Sequence, residues 1–370
     1  AVQTSGLPAH AVPALREALA GSRRPLIITT YLGRQTAAVE RLVALSERYG
    51  IAVCEVNPQY VNFPGNHPHH VGYRRNALVD EADLILMLDV DVPWIMSKVQ
   101  PAADARLFHI DMDAIKPALG FWHFPAEASF QADTLLALDQ LLAGDAHEVG
   151  DRAARCAWIA DVRGRPSPTP PEAPGDALSV TQVTEAVREL INERTVVVFE
   201  SPSGTERVLS TLRMSRPGSY YANGGSGLGW GVNAAIGIRL ADPEAEVICL
   251  TGDGSYLFSV PSSAYWVSAN YQAPQLTVIY NNRGWNSPKV STLLVHPQGT
   301  ARRNDTYWIT MTEGSRLAEV AAAAGGAAAF RVTEASQLRD TLQQAMAIVR
   351  GGRSAVVEAM VAPISGQSLA

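Results

Sequence analysis

The chain has little cysteine, little lysine and little charge. Its three cysteines, Cys54, Cys156 and Cys249, lie far apart over 370 residues with no paired spacing. That spacing excludes a disulfide framework and a cysteine-based metal site, and it points to a reducing compartment, the cytoplasm. Charged residues make up 18% and the net charge at pH 7 is −6. No basic run occurs, so there is no electrostatic footprint for nucleic acid or an anionic membrane. Long apolar runs are missing as well. The N-terminal segment mixes polar and apolar positions around Pro8 and Pro13, and neither a signal peptide nor a membrane span is expected. What is present, 47% hydrophobic residues, suits an ordinary globular protein of two or three domains.

Proline is concentrated in one place. Arg163 to Asp176 reads RGRPSPTPPEAPGD, a stretch that can neither build a helix nor pair as a central strand, so it reads as an extended linker. It divides the chain into a first domain, 1–162, and a second, 177–370. Before it, apolar runs at Pro25 to Thr30, Ile51 to Val56, Leu84 to Leu88 and Arg106 to Ile110 alternate with helical patterns such as Ala37 to Tyr49. Alternation of this kind predicts a doubly wound parallel sheet of five or six strands. After it, a helix from Val180 to Asn192 leads to strands at Val196 to Phe199, Val247 to Leu250 and Leu276 to Tyr280, with two more near Ala328 to Val332 and Ala355 to Met360. The run Ala321 to Gly326 reads as a helix closed by a glycine cap. The expected fold class is α/β, two doubly wound parallel-sheet domains joined by a proline-rich linker.

Two of the second-domain strands run into unusual tips. Val247 to Leu250 precedes Gly252-Asp253-Gly254-Ser255, and Leu276 to Tyr280 precedes Asn281-Asn282, 26 residues beyond Ser255. Open α/β sheets place their ligands at such carboxyl ends. The Asp253 carboxylate, the Asn282 amide oxygen and the Gly284 main-chain carbonyl form a hard oxygen set of the kind Mg²⁺ takes when it also holds a diphosphate. Glycines beside Asp253 leave room for phosphate oxygens at main-chain N–H groups. Either piece alone is an ordinary turn; the pair, at this spacing and behind two strands, points to a cofactor site. A dinucleotide-binding reading of Gly225-Ser226-Gly227-Leu228-Gly229 competes, but no long apolar strand precedes that loop and no acid ends a second strand about twenty residues on.

This arrangement resembles the GDG and NN signature of thiamine-diphosphate enzymes. From Glu200-Ser201 through the helix Arg207 to Met214, Pro217 to Tyr221 and Gly227 to Gly237, the second domain is similar to the diphosphate-binding domain of the benzoylformate decarboxylase and acetolactate synthase superfamily. The first domain, with Phe63-Pro64-Gly65-Asn66-His67-Pro68 and Ile110-Asp111-Met112-Asp113, resembles that superfamily's middle domain. The resemblance implies thiamine diphosphate and Mg²⁺ as cofactors and decarboxylation or carboligation of a small-molecule 2-oxo acid, with an acceptor in the second case. The pyrimidine-binding domain that usually comes first, with the glutamate that activates the coenzyme, is not seen. The expectation is therefore a separate pyrimidine-domain subunit, in a hetero-oligomer built on a dimer or tetramer, or a fragment of a longer product. A non-catalytic cofactor-binding or regulatory subunit is the alternative.

The resemblance also implies residue roles. Asp253, Asn282 and Gly284 hold the metal, while Ser201, Ser203, Gly254 and Ser255 serve the diphosphate, with Ser203 equally readable as a turn hydroxyl bonded to its own backbone. Leu228 wedges the coenzyme into its bent form, against the simpler view of a core leucine, and the Ser226 carbonyl accepts from its amino group. His67 reaches the active site and moves protons, or is an exposed loop residue; a metal site from His67, His69 and His70 has no trusted ligand spacing. Trp285, Asn286 and Lys289 line the substrate pocket, whose polarity suggests a small or polar substrate; Lys289 either pairs with a carboxylate or is a solvated cation. Asp111 and Asp113 are slim grounds for a nucleotide in the middle domain.

Overall fold

The computed structural model describes residues 4–73, 76, 78–119, 124–144, 149–165, 177–201, 204–225, 227–311 and 314–362. The chain divides into two compact units, Ala1–Pro166 with Arg213–Ser219, and Ser167–Leu212 with Tyr220–Ala370.

In the first unit, β1 (Pro25–Thr29), β2 (Ala52–Glu55), β3 (Leu84–Leu88), β4 (Arg106–Asp111) and β5 (Ala128–Gln131) form one sheet in the order β2-β1-β3-β4-β5. All pairs are parallel. Helices α1 (Ala11–Gly21), α2 (Thr36–Tyr49), α3 (Thr134–Leu142) and α4 (Arg152–Gly164) accompany it. Because successive strand residues point to opposite faces, Leu84, Leu86 and Leu88 pack with Leu15, Leu42 and Leu138, whereas Ile85 and Met87 pack with Ile159 and Val162. Both faces are thus dry, which is why β3 is apolar throughout. Gly50, in the left-handed region at φ 64, ends α2. Arg155, 1% exposed, donates to the carbonyls of Leu19, Ala20, Ser22 and Tyr49, tying α4 to the ends of α1 and α2.

The second unit has β6 (Thr195–Glu200), β7 (Tyr220–Ala222), β8 (Glu246–Gly252), β9 (Leu276–Asn281), β10 (Ala328–Val332) and β11 (Ala355–Met360), in the order β10-β11-β9-β8-β6-β7. These strands too are all parallel. Its helices are α5 (Val180–Arg188), α6 (Thr205–Leu212), α7 (Trp230–Ala241), α8 (Asp253–Phe258), α9 (Pro261–Asn270), α10 (Asn286–Val295), α11 (Thr300–Asn304), α12 (Leu317–Gly325) and α13 (Ala335–Arg350). Val198, Val247, Cys249 and Ile279 face α7, α9 and α12 through Val232, Tyr265 and Ala321. A Ser179–Gln182 capping box starts α5, and Gly326 at φ 67 closes α12 as expected. The chain leaves β6 toward β7 on one side and returns to β8 on the other. That switch opens a crevice at the carboxyl ends of β6 and β8.

Sequence and structure differ at the edges of elements. The helix expected over Val180 to Asn192 stops at Arg188, and the one expected to reach Met214 stops at Leu212, where Arg213 takes a positive φ of 49. Helix α4 runs to Gly164, so the first two residues of the expected linker are helical; Arg165 follows, paired with Glu81 and Asp161. The rest of the linker, 166–176, lies outside the described residues. β5 and β7, two edge strands, had no apolar run long enough to announce them. Cys54 and Cys249 are buried free thiols in β2 and β8.

The first unit carries its own buried charge network. Asp111 accepts from Lys116 Nζ at 2.8 Å, from the Tyr31 hydroxyl at 2.5 Å and from Val90 N–H at 3.1 Å. Burial opposes its ionisation, but His109, Asp113 N–H, Lys116 and Tyr31 together hold its carboxyl well below the usual range. Asp89, 2% exposed and at φ 45, has the opposite balance. Burial first, and the Asp111 charge second, push its pKa up to about 6. Since the folded carboxyl holds its proton more tightly than an unfolded aspartate near 3.9, stability falls as pH rises between about 4 and 6 and stays lowered above that window. Asp89→Asn keeps an acceptor for Thr134, 2.8 Å away, and suits the left-handed backbone. It is expected to stabilise the protein by about 2 kcal/mol at pH 7.5, with the gain shrinking toward pH 4. Urea denaturation at the two pH values checks this.

Candidate active site

The crevice of the second unit gathers the tips of β6, β8 and β9. Asp253, the first residue of α8, is 3% exposed. Its Oδ1 accepts from Gly254 N–H at 2.7 Å and its Oδ2 from Gly284 N–H at 3.0 Å. The same Gly284 N–H reaches Asn282 Oδ1 at 3.1 Å. One backbone donor thus brings the carboxylate and the amide oxygen together, and the Gly284 carbonyl belongs to the same turn. Burial pushes the Asp253 carboxyl above its ordinary pKa in spite of N–H groups from Gly254, Gly284, Arg283 and Asn282. A buried carboxylate held only by neutral N–H groups is the donor a divalent cation completes.

The β9 loop is built from several sides. Asn281 Nδ2 donates to Glu358 of β11 at 2.6 Å, and its Oδ1 accepts from Arg283 N–H at 2.9 Å. From outside, Trp285 N–H bonds Ile309 C=O at 3.0 Å and Met311 N–H bonds Arg283 C=O at 2.9 Å. A methyl group on Gly284 would stand 2.7 Å from Ile309 C=O, so this edge pairing requires glycine. Glu358 and this outer pairing are site supports that the sequence reading missed. A buried acid in an otherwise apolar strand was the available signal for Glu358.

Gly254 is packed against Trp285: a methyl group there would lie 2.4 Å from the indole Nε1. Ser255 is 4% exposed in α8, and Ser201, 7% exposed after β6, has its Oγ 3.8 Å from where a Gly252 methyl would be. The expected diphosphate residues Ser201, Gly254 and Ser255 therefore gather at the β6 and β8 tips. Ser203 and Ser226 lie outside the described residues. Lys289 Nζ sits 4.8 Å from the Tyr307 ring centroid, a cation–π contact, so it is not a simply solvated cation.

Leu228 is 40% exposed, which sets aside the core-leucine reading. Asn223 ties the turn before it, donating to Gly227 C=O at 2.6 Å and accepting from Gly225 N–H at 2.9 Å. Behind it, Glu200 at the end of β6 accepts from Gly229 N–H at 2.7 Å and Gly231 N–H at 2.6 Å, fixing the entry to α7. Burial raises the Glu200 carboxyl's pKa, against those N–H bonds and that of Trp230. The sequence reading gave Glu200 no role of its own. An acid at a strand tip followed by a glycine-rich helix start is the pattern that identifies it.

His67 belongs to the first unit. Its ring is 14% exposed, with Nε2 3.2 Å from Glu47 Oε1 and Nδ1 accepting from His69 N–H at 3.1 Å, so it is neither exposed nor loose. His69 meets Ser46 at 2.9 Å and His70 meets Glu55 at 2.9 Å. The three imidazoles thus serve three separate partners.

Two family models match the chain. Residues 204–359 match the model of the thiamine pyrophosphate enzyme C-terminal TPP binding domain, and residues 12–141 match that of the central domain. The chain is 26% identical over 311 residues to acetolactate synthase isozyme 1 large subunit of Escherichia coli K12, covering 80% of this chain and 53% of that one. It is 33% identical over 143 residues to benzoylformate decarboxylase of Pseudomonas aeruginosa, covering 36% of this chain and 27% of the relative. In fold it is similar to the crystal structure of benzoylformate decarboxylase from Polynucleobacter necessarius, with a TM-score of 0.79 at 20% identity over 98% of this chain and 66% of that one. The chain spans about half the length of the acetolactate synthases it matches. It belongs to the thiamine pyrophosphate enzymes, of which it carries the central domain followed by the C-terminal, cofactor-binding domain.

Proposed function

We propose that this chain is part of a Mg²⁺- and thiamine-diphosphate-dependent enzyme that cleaves or forms a C–C bond next to the carbonyl of a 2-oxo acid. The observation that carries the reading is the shared Gly284 N–H, which holds the Asp253 carboxylate and the Asn282 amide oxygen within reach of one cation. When bound, the coenzyme supplies the carbon nucleophile and the electron sink that decarboxylation needs. Asp253, Asn282 and the Gly284 carbonyl hold Mg²⁺; Ser201 and Ser255, together with Ser203 and Ser226, serve the coenzyme. Leu228, exposed on a turn locked by Asn223 and Glu200, supports its bent conformation. His67, steadied by Glu47 and His69, is the first-unit side chain we assign to proton transfer.

Activity requires a pyrimidine-binding part, contributed by a companion polypeptide or by a longer product that contains this stretch, in an oligomer that joins the two. The free thiols suit the cytoplasm. The proposal does not extend to a nucleotide in the central domain, because Asp111 is already engaged by Lys116, Tyr31 and Val90. The test is CO₂ release from a panel of 2-oxo acids by the chain with its companion part. Release is expected only when both Mg²⁺ and thiamine diphosphate are present. Tight coenzyme binding with no turnover of any acid would instead mark a non-catalytic cofactor-holding subunit, and absence of binding would overturn the reading altogether.

A further inference from the structure

The start of α10 carries two polar groups that nothing among the described residues satisfies. Trp285 Nε1 is buried and makes no hydrogen bond among the described residues, and Nδ2 of the next residue, Asn286, is likewise buried and unpaired. Asn286 is only 6% exposed. A buried donor without an acceptor is costly, and two in succession are not expected of residues that merely pack. An indole N–H can only donate, so what Trp285 lacks is an acceptor. Its position says where that acceptor belongs: Nε1 lies 2.4 Å from where a Gly254 methyl would be. It is therefore beside the residue between Asp253 and Ser255. The backbone that carries the indole is pinned, because Trp285 N–H bonds Ile309 C=O and Gly284 pairs with Thr310.

We propose that Trp285 Nε1–H, supported by the Asn286 side-chain amide, is a diphosphate donor: the pair bonds anionic phosphate oxygens held against the Asp253-Gly254-Ser255 turn. The inference rests on the function proposed above and deepens it. It moves Trp285 and Asn286 from the substrate wall, where the sequence suggested them, to the cofactor cradle. Glycine at 254 then has a double reason: any side chain there would displace the indole from the oxygens it serves.

The test is titration calorimetry of the full chain with inorganic pyrophosphate in the presence of Mg²⁺, which needs neither turnover nor the pyrimidine-binding part. Trp285→Phe keeps the ring and removes the N–H, so affinity is expected to fall about tenfold or more, the usual effect of losing a hydrogen bond to a charged group. Trp266→Phe, at a residue 59% exposed on α9, is the control and should bind as the wild type does. Asn286→Leu is the second variant. It should weaken pyrophosphate binding while leaving the ligand-free melting temperature unchanged or raised, because an unsatisfied buried group is removed. A purely structural asparagine would give the reverse pattern, lower melting temperature with unaltered affinity. If Trp285→Phe binds Mg²⁺-pyrophosphate like the wild type, or loses affinity for a 2-oxo acid alone, the assignment is wrong. If the wild-type chain itself shows no Mg²⁺-dependent binding, the proposed function fails first and takes this inference with it.

Discussion

Asp253→Ala is expected to lower affinity for Mg²⁺ with thiamine diphosphate, or with pyrophosphate, by on the order of a hundredfold or more, and to leave no measurable 2-oxo acid turnover. Asp253 is the one carboxylate of the proposed ligand set; Asn282 and Gly284 contribute only neutral oxygens. A small, hard cation that sheds water reluctantly needs that charge. The ligand-free protein should respond differently. Burial raises the Asp253 pKa, so its removal relieves an unfavourable buried charge while leaving the Gly254 N–H without its acceptor and the Gly284 N–H with Asn282 Oδ1 alone. These effects oppose each other, and the ligand-free melting temperature should move little. Mg²⁺ and pyrophosphate at about a hundred times the dissociation constant should stabilise the wild type by about 2.7 kcal/mol and the variant hardly at all. Equal stabilisation of both proteins would remove Asp253 from the metal site.

The second large effect is structural. Gly229→Ala is expected to destabilise the protein by about 2–4 kcal/mol, a fall in melting temperature of roughly 5–15 °C. Gly229 has φ 91, and a methyl group there would stand 2.3 Å from Phe258 C=O and 2.7 Å from Ser259 N. Both obstacles are backbone, and neither can swing aside as a side-chain tip could. Any shift also moves the N–H that Glu200 accepts at 2.7 Å, loosening a buried carboxylate from its donors, and it displaces Leu228 next door. Gly237→Ala, eight residues on in α7 with open space around it, is the control. It should be neutral or stabilise by up to about 1 kcal/mol, since alanine favours a helix over glycine. Comparable losses at the two positions would refute the collision argument.

Much of the scaffold was legible because strands buried on both faces must be apolar throughout. Leu84–Leu88 falls where the sequence puts it, to the residue, and the strand expected near Ala355 to Met360 is there. The edge strands were not legible: β7 is three residues long, and β5 alternates half-buried and exposed positions. Helix ends were overrun where a single backbone angle decides, as at Arg213. In the site, Asp253, Asn282 and Gly284 were readable as a candidate ligand set because each follows a strand. Their joining through one N–H was not, since 31 residues separate Asp253 from Gly284. Glu200, Glu358 and the outer pairing at Ile309 to Met311 leave almost no trace in a linear pattern, because each acts through a neighbour brought by the fold.

By itself, then, the sequence determined two parallel α/β layers, the strand tips that bear chemistry and the enzyme family those tips resemble. Periodicity and chemical type are local properties, carried by each segment alone. Tertiary structure decided which groups are left wanting: the Asp253 carboxyl with its pKa raised by burial, the locked turn that exposes Leu228, and the indole of Trp285 without an acceptor among the described residues. Burial and hydrogen-bond satisfaction depend on what distant segments bring to the same place, so they exist only once the chain has folded.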